Sequence, residues 1–384
     1  MTTTIDNEHK TFNVPNLRFL EFEGEWQEKR LSDIADLSKG IGISKDQLSA
    51  DGEPCILYGE LYTKYKSETI KEVISKTNID NTKLVKSKAN DVIIPCSGET
   101  AEEIATARCV LKDDILLGGD LNIIRLHGYD GSFMSYQLNG KRKYDIAKVA
   151  QGVSVVHLYG EHLKNIKTIN PSLNEQKKIA NLLSLLDERI STQNKIIEKL
   201  QSLIKGIRVH LTQQVGGDFV YLSEIAQIYQ PQTISLSEFT KEGYLVYGAN
   251  GVIGKYKEYN HQTEQICITC RGNTCGVVNY TQAKSWITGN AMVINTDDSK
   301  EKVFKRYLYH YLSAYNFNSI ISGSGQPQIV RSPLEKLRIA LPTMQQQKSI
   351  AKTLDKFQEK IDANAYALKL YLWQKQYLLH QMFI

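Results

Sequence analysis

The side chains best suited to reading hydrogen-bond patterns sit on two short turns. Arg271-Gly272-Asn273-Thr274 follows an apolar β-type run and sets a guanidinium and an amide on a tight turn. Arg can grip guanine O6 and N7, and Asn or Gln can grip adenine N6 and N7, each through two hydrogen bonds. The plainer account is a turn chosen for Gly and Asn backbone geometry, with Arg271 in solvent. Ile94-Pro95-Cys96-Ser97-Gly98-Glu99-Thr100 matches Ile268-Thr269-Cys270-Arg271-Gly272-Asn273-Thr274 in frame but offers Ser97, Glu99 and Thr100 instead. Two Gly-rich loops add amides: Tyr247 to Gly251 carries Asn250, and Ser322 to Gln328 carries Gln326 and Gln328. Neither has the Lys-Ser/Thr and helix start of a phosphate-cradling loop. Gln151 and Ser154 align with the Ser322–Gly325 stretch. Lys141-Arg142-Lys143 is a compact basic run that either touches phosphates or is a solvated face.

Two catalytic readings compete with these. Cys267, Cys270 and Cys275, with His261 upstream, offer four potential zinc ligands. Cys270 aligns with Cys96, around which no cluster exists, and Cys267 lies in an apolar run, so buried thiols are the expectation and no metal is assigned. Asn170-Pro171-Ser172-Leu173 resembles the Asn-Pro-Pro-aromatic motif with which adenine methyltransferases hold a flipped base, but lacks its second Pro and its aromatic. The segment returns as Leu341-Pro342-Thr343-Met344, and both copies open long helical patterns, so helix capping accounts for it better. No catalytic residue is assigned.

The elements that position these turns are two long amphipathic helices. From Gln176, steps of three and four residues give Ile179, Leu183, Leu186, Ile190, Gln193, Ile197, Leu200, Ile204, Ile207 and Leu211, the seam of a coiled coil. Shifted by 171, the series reads Gln347, Ile350, Leu354, Phe357, Ile361, Asn364, Leu368, Tyr371, Lys375, Leu378 and Met382. Lys375 interrupts the second seam, and Gly206 weakens the first helix by about 1 kcal/mol relative to Ala. Pro171-Ser172-Leu173-Asn174-Glu175 and Pro342-Thr343-Met344-Gln345-Gln346 are both capping boxes, with hydroxyl and Glu or Gln three residues apart. Eight of the twenty aligned positions from 171 to 190 and 342 to 361 are identical, which marks an internal repeat.

The segments between the helices repeat as well. Short β-type runs such as Cys55–Tyr58, Asp91–Pro95 and Leu121–Leu126 dominate the first, with helices expected at Arg30 to Leu37 and Phe133 to Val149. Leu31-Ser32-Asp33-Ile34-Ala35 returns as Leu222-Ser223-Glu224-Ile225-Ala226, and Gly119-Asp120 as Gly289-Asn290. The expected fold is α/β: two mixed α/β domains separated by two long helices that form an antiparallel coiled coil, a pseudo-twofold internal repeat. Its parts are an N-terminal tail and packing segment over 1–25, a first domain over 26–169 and a central helix over 170–214, then a second domain over 215–337 and a C-terminal helix over 338–384. Residues 1 to about 10 read as a disordered tail, and Val215-Gly216-Gly217-Asp218 as the break after the first helix.

Composition bounds the class. A chain of 384 residues with 41% hydrophobic and 23% charged residues is a multi-domain globular protein. Its net charge of +5 is too mild to identify a nucleic-acid partner. Six scattered cysteines, no signal-like N-terminus and no long apolar run point to reduced thiols, a cytoplasmic location and no membrane association.

The order domain-helix-domain-helix, the duplicated Pro-x4-Gln-Lys-x-Ile-Ala helix start at Pro171 and Pro342, and the opening segment Val14 to Trp26 resemble the specificity subunit of type I restriction-modification systems. The resemblance covers nearly the whole chain. It implies two target recognition domains, each reading half of a bipartite asymmetric site in double-stranded DNA. It implies helices that act as a spacer and dock two N6-adenine methyltransferase subunits, which restriction/translocase subunits can join. It also implies an N-terminal segment packed near the C-terminal helix. Such a chain holds no cofactor of its own: S-adenosylmethionine, and ATP with Mg for restriction, belong to the partners. A coiled-coil adaptor joining two protein-binding domains, without DNA specificity, is the alternative.

Overall fold

The computed structural model describes residues 13–152, 155–213, 216–323 and 325–384. Ser154, Val215 and the first ten residues lie outside them. The chain divides into two compact units, one running to Asn194 and including Ala367–Ile384, the other Lys195–Tyr366.

In the first unit, a five-stranded sheet has the order Ala35–Lys39, Leu121–Leu126, Asp91–Pro95, Arg108–Val110, Thr69–Ile70. All its pairings are antiparallel except the last. The central strand, Asp-Val-Ile-Ile-Pro, is buried throughout because both faces are covered, which is why its apolar run does not alternate. Val92 and Ile94 enter one core with Ile124 and Met134, and Ile93 enters another with Ile56 and Leu117. A second sheet is built on the parallel pair Glu53–Ile56 and Leu116–Leu117. Antiparallel strands Gln27–Arg30 and Lys167–Asn170 close the unit at the foot of the first long helix.

The second unit repeats this plan. Its main sheet has the order Gln227–Tyr229, Ala291–Asn295, Ile266–Thr269, Val278–Tyr280, and its parallel pair is Tyr244–Gly248 with Trp286–Ile287. Asp218–Tyr221 and Arg338–Leu341 form the closing pair. The copies differ in the hairpin strand Gly251–Tyr256 against Tyr244–Gly248 and in the second main sheet's four strands against the first's five.

Two expected helices take another form. Arg30 to Leu37 yields one turn, Leu31–Ile34, because Ala35–Lys39 is recruited as an edge strand against Leu121–Leu126. Phe133 to Val149 is two helices, Gly131–Asn139 and Lys143–Val149, parted at Gly140, whose φ of −92 and ψ of −105 is not helical.

The long helices run unbroken over Leu173–Gln213 and Met344–Met382. Between Ile190 and Leu211, the partly or fully buried residues are the seam positions together with Arg208 and Val209. Between Ile361 and Leu378 they are the seam positions and Ala367. In the second unit, Ile204, Leu354 and Ile361 form one cluster with Leu200, Ile207, Ile350 and Phe357. In the first, Ile179 and Leu183 join Leu378 and Met382, while Asp187, further along the first helix, meets Lys375, earlier on the second. The helices therefore pair antiparallel there.

Lys375 does not leave a gap in the seam. Its ammonium lies 2.6 Å from Glu68 and 2.7 Å from Asp187, and Tyr136 donates to Asp187 at 2.7 Å. Burial pulls the Lys375 pKa down, but the two carboxylates outweigh it and hold it above the ordinary lysine value. The helix starts also differ in detail. At the second, Gln346 accepts from the Thr343 amide and Thr343 from the Gln346 amide, a complete box. At the first, Ser172 accepts from the Glu175 amide, but the Glu175 carboxylate turns to Arg18, with both bonds at 2.8 Å, and to Trp26 at 3.3 Å. A bidentate guanidinium outcompetes a backbone amide for a buried carboxylate. The N-terminal segment packs against the C-terminal helix as anticipated: the Leu17 amide donates to the Gln381 carbonyl, and Trp26 and Phe133 pack on Phe383.

Candidate nucleic-acid interface

Each unit carries a small three-stranded lip beside the end of its central strand. In the first, Ser97–Gly98 pairs with Val156–His157, and His157 pairs with Gln151 through two backbone hydrogen bonds, of 2.7 and 2.9 Å. In the second, Arg271 pairs with Gln328, and Gln328 with Ser322 through bonds of 2.8 and 2.9 Å. The backbone connections beneath also match. The Leu158 amide donates to the Cys96 carbonyl and the Ile329 amide to that of Cys270, while the Cys96 amide donates to the Asp120 carbonyl and the Cys270 amide to that of Asn290. The lips are thus the same main-chain device with different side chains.

On the first lip, Ser97 Oγ lies 3.2 Å from His157 Nδ1, the His157 ring stacks on exposed Tyr159, and Lys39 lies over the Tyr159 ring. On the second, Arg271 and Gln328 line a cleft of about 340 Å³ with Gln230 and Arg331. Gly272, at φ +85, permits the turn after Arg271, and its amide donates to Pro327. That bond holds the Asn273–Thr274 turn beside the loop bearing Gln326. Asn250 is brought to the same edge because its neighbour Ala249 accepts hydrogen bonds from Thr269 and Asn279.

The other residues singled out from the sequence are dispersed. Glu99 and Lys143 line a different cleft, of about 750 Å³, with Lys66, Glu102 and Arg108. Thr100 caps the short helix Ala101–Ile104, accepting from the Glu103 amide, so its hydroxyl is already engaged. Arg142 donates to the Ile384 carbonyl and faces Asp145, whereas neighbouring Lys141 is exposed. His157, Tyr159 and Lys39 escaped the sequence reading. The repeat offset that aligns Gln151 with Ser322 also aligns His157 with Gln328, a usable signal had it been carried six residues further.

The cysteine cluster is split by the sheet. Cys267 points into one core with Val293, and Cys270 into the opposite core with Met292 and Ile268. Burial pushes the Cys267 thiol up to about 12, as for a thiol packed in an apolar core. His261 stacks on Tyr229 and bonds to its hydroxyl at 3.0 Å.

The family model described as "Type I restriction modification DNA specificity domain" matches residues 23–202 and again 215–370. The chain belongs to this family. Its similarity to the type I restriction enzyme EcoprrI specificity subunit of Escherichia coli is 31% identity over 149 residues, covering 38% of this chain and 36% of that one. The MjaVIII specificity subunit of Methanocaldococcus jannaschii is 24% identical over 394 residues, covering 90% of this chain and 89% of the relative. The crystal structure of a type I restriction-modification S subunit from M. genitalium shares the fold with a TM-score of 0.69 at 19% identity, over 97% of this chain and 99% of that one. The duplicated lips belong to a specificity subunit, and its function is DNA sequence recognition in a type I restriction-modification system. Membership sets the adaptor alternative aside. Among the described residues no helix is long and apolar enough to cross a membrane.

Proposed function

We propose that this specificity subunit is a non-catalytic reader of a split, asymmetric DNA site, each domain contacting one half through its lip. The duplicated backbone with divergent side chains is the observation that carries this: equal frames dock alike on two duplex segments, and unequal side chains select different bases. Lys141 and Lys143 supply phosphate contacts that position the first domain. The long helices set the spacing between the halves and dock two N6-adenine methyltransferase subunits, to which restriction subunits add. S-adenosylmethionine, ATP and Mg are held by those partners, and the assembly works in the cytoplasm.

Long-read methylation sequencing of a methylation-free host expressing the chain with its methyltransferase tests this against a control lacking the chain. One split, asymmetric adenine-methylated motif is expected only when the chain is present. Methylation without a motif, or the same motif in the control, would overturn the reading.

A further inference from the structure

Superposing the lips by their hydrogen bonds, residue by residue, puts His157 of the first domain in the place of Gln328 of the second. The flanking positions follow: Ser97 stands where Arg271 stands, Lys39 where Gln230 stands, and Tyr159 where Val330 stands. We infer that His157 and Gln328 are the equivalent base-reading residues of the two domains, each the central side chain of its lip. This inference rests on the split-site reading above.

Three observations converge on the pair. Both residues take the middle position of the lip, hydrogen-bonded on one side to Gln151 or Ser322 and paired on the other with Ser97 or Arg271, where the bonds of Leu158 to Cys96 and of Ile329 to Cys270 hold the pairing, so their main chains are fixed. Both side chains reach solvent: His157 is half-buried and Gln328 exposed. The residues that follow, Leu158 and Ile329, are buried and anchor the strand to the domain core. Such a position is rigid in its backbone and open at its tip, which base-edge discrimination requires.

The chemistry at the two tips differs. Gln328 offers one donor group and one acceptor, the pattern that matches adenine N6 and N7, and Arg271 beside it adds a fork suited to guanine O6 and N7. The Ser97 hydroxyl engages His157 Nδ1, which leaves Nε2 as the ring atom that meets the base. A single ring nitrogen reads one donor or acceptor, such as purine N7. Stacked Tyr159 limits rotation of the ring.

The experiment uses the full chain with its methyltransferase in the methylation-free host and compares His157→Gln, Ser97→Ala and Gln328→His with the unaltered chain by long-read methylation sequencing. His157→Gln is expected to relax or change one base position in the first half of the motif, with preference there falling on the order of ten- to hundredfold. The second half serves as an internal control for folding and should be unaltered. Gln328→His should do the reverse. Ser97→Ala should weaken the same position as His157→Gln. A motif unchanged by both His157→Gln and Gln328→His overturns the inference while leaving the split-site reading intact. So does a change by either variant in the wrong half. Absence of any motif with the unaltered chain would instead refute that broader reading.

Discussion

A buried glutamine needs partners for its carbonyl and its amide without water, and the chain provides them at two equivalent positions. Gln176 donates to Pro171 and accepts from the Asp130 amide at 2.9 Å; Gln347 donates to Pro342 and Lys302 and accepts from the Phe304 amide at 2.8 Å. Each amide ties the foot of a long helix to the start of the short helix packed beside it, Gly131–Asn139 or Lys305–Ala314. Gln176→Leu and Gln347→Leu should each lower stability by about 1–3 kcal/mol, since a buried backbone amide loses its partner in each case. Denaturant unfolding midpoints check this, and an unchanged midpoint would remove the pinning role. A second residue-scale device is His310, fully buried, whose ring nitrogen lies 2.8 Å from Asp355, with Arg306 on the same carboxylate. Burial lowers its pKa to about 4, with Asp355 pulling the other way. The folded state therefore holds fewer protons than the unfolded state between about pH 6.5 and 4, so the contribution is present above that window and is lost as pH falls through it, on the order of 3 kcal/mol. Unfolding midpoints measured from pH 7 to pH 4 should drop, and His310→Gln should flatten the slope. An equally steep slope in the variant would assign the loss to other groups.

At the scale of elements, the helices divide their faces by function. In the second unit the seam carries the apolar cluster of Ile204, Leu354 and Ile361, and in the first it includes the charged contact of Lys375 with Glu68 and Asp187. Lys375→Ala should destabilise by about 3–5 kcal/mol because two buried carboxylates lose their counterion. Lys375→Ala combined with Glu68→Gln should recover part of that loss. No recovery in a thermal or denaturant scan would show that the pairing itself is unimportant. Outside the seam, Leu370, Trp373 and Tyr377 are exposed at helical spacing, with the Lys369 ammonium over the Trp373 ring. If this stripe docks a methyltransferase, Trp373→Glu should reduce co-purification of the partner about tenfold or more with little change in unfolding midpoint. A partner retained at full stoichiometry would move the docking surface elsewhere. Deleting one heptad from the unbroken first helix removes about 10 Å of rise. The preferred half-sites should then move together or activity be lost, and an unaltered motif spacing would refute the spacer role.

Across the whole molecule, legibility followed locality. The seam, both helix starts and the strands Asp91–Pro95 and Leu121–Leu126 could be read because a repeating pattern or a continuous apolar run specifies them within a few residues. Ala35–Lys39 could not, since its strand form comes from a partner some ninety residues away in sequence. The lip lay between. Ser97 and Arg271 were visible through the repeat, while His157 reaches Ser97 only through a pairing across about sixty residues. Lys375 looked like a flaw because its carboxylates lie on other elements. The lips, finally, are held by main-chain bonds to cores that their tip side chains do not enter. A change of letter at Ser97, His157, Arg271 or Gln328 therefore leaves the frame standing, so selection can rewrite what the subunit reads one residue at a time while stability stays level.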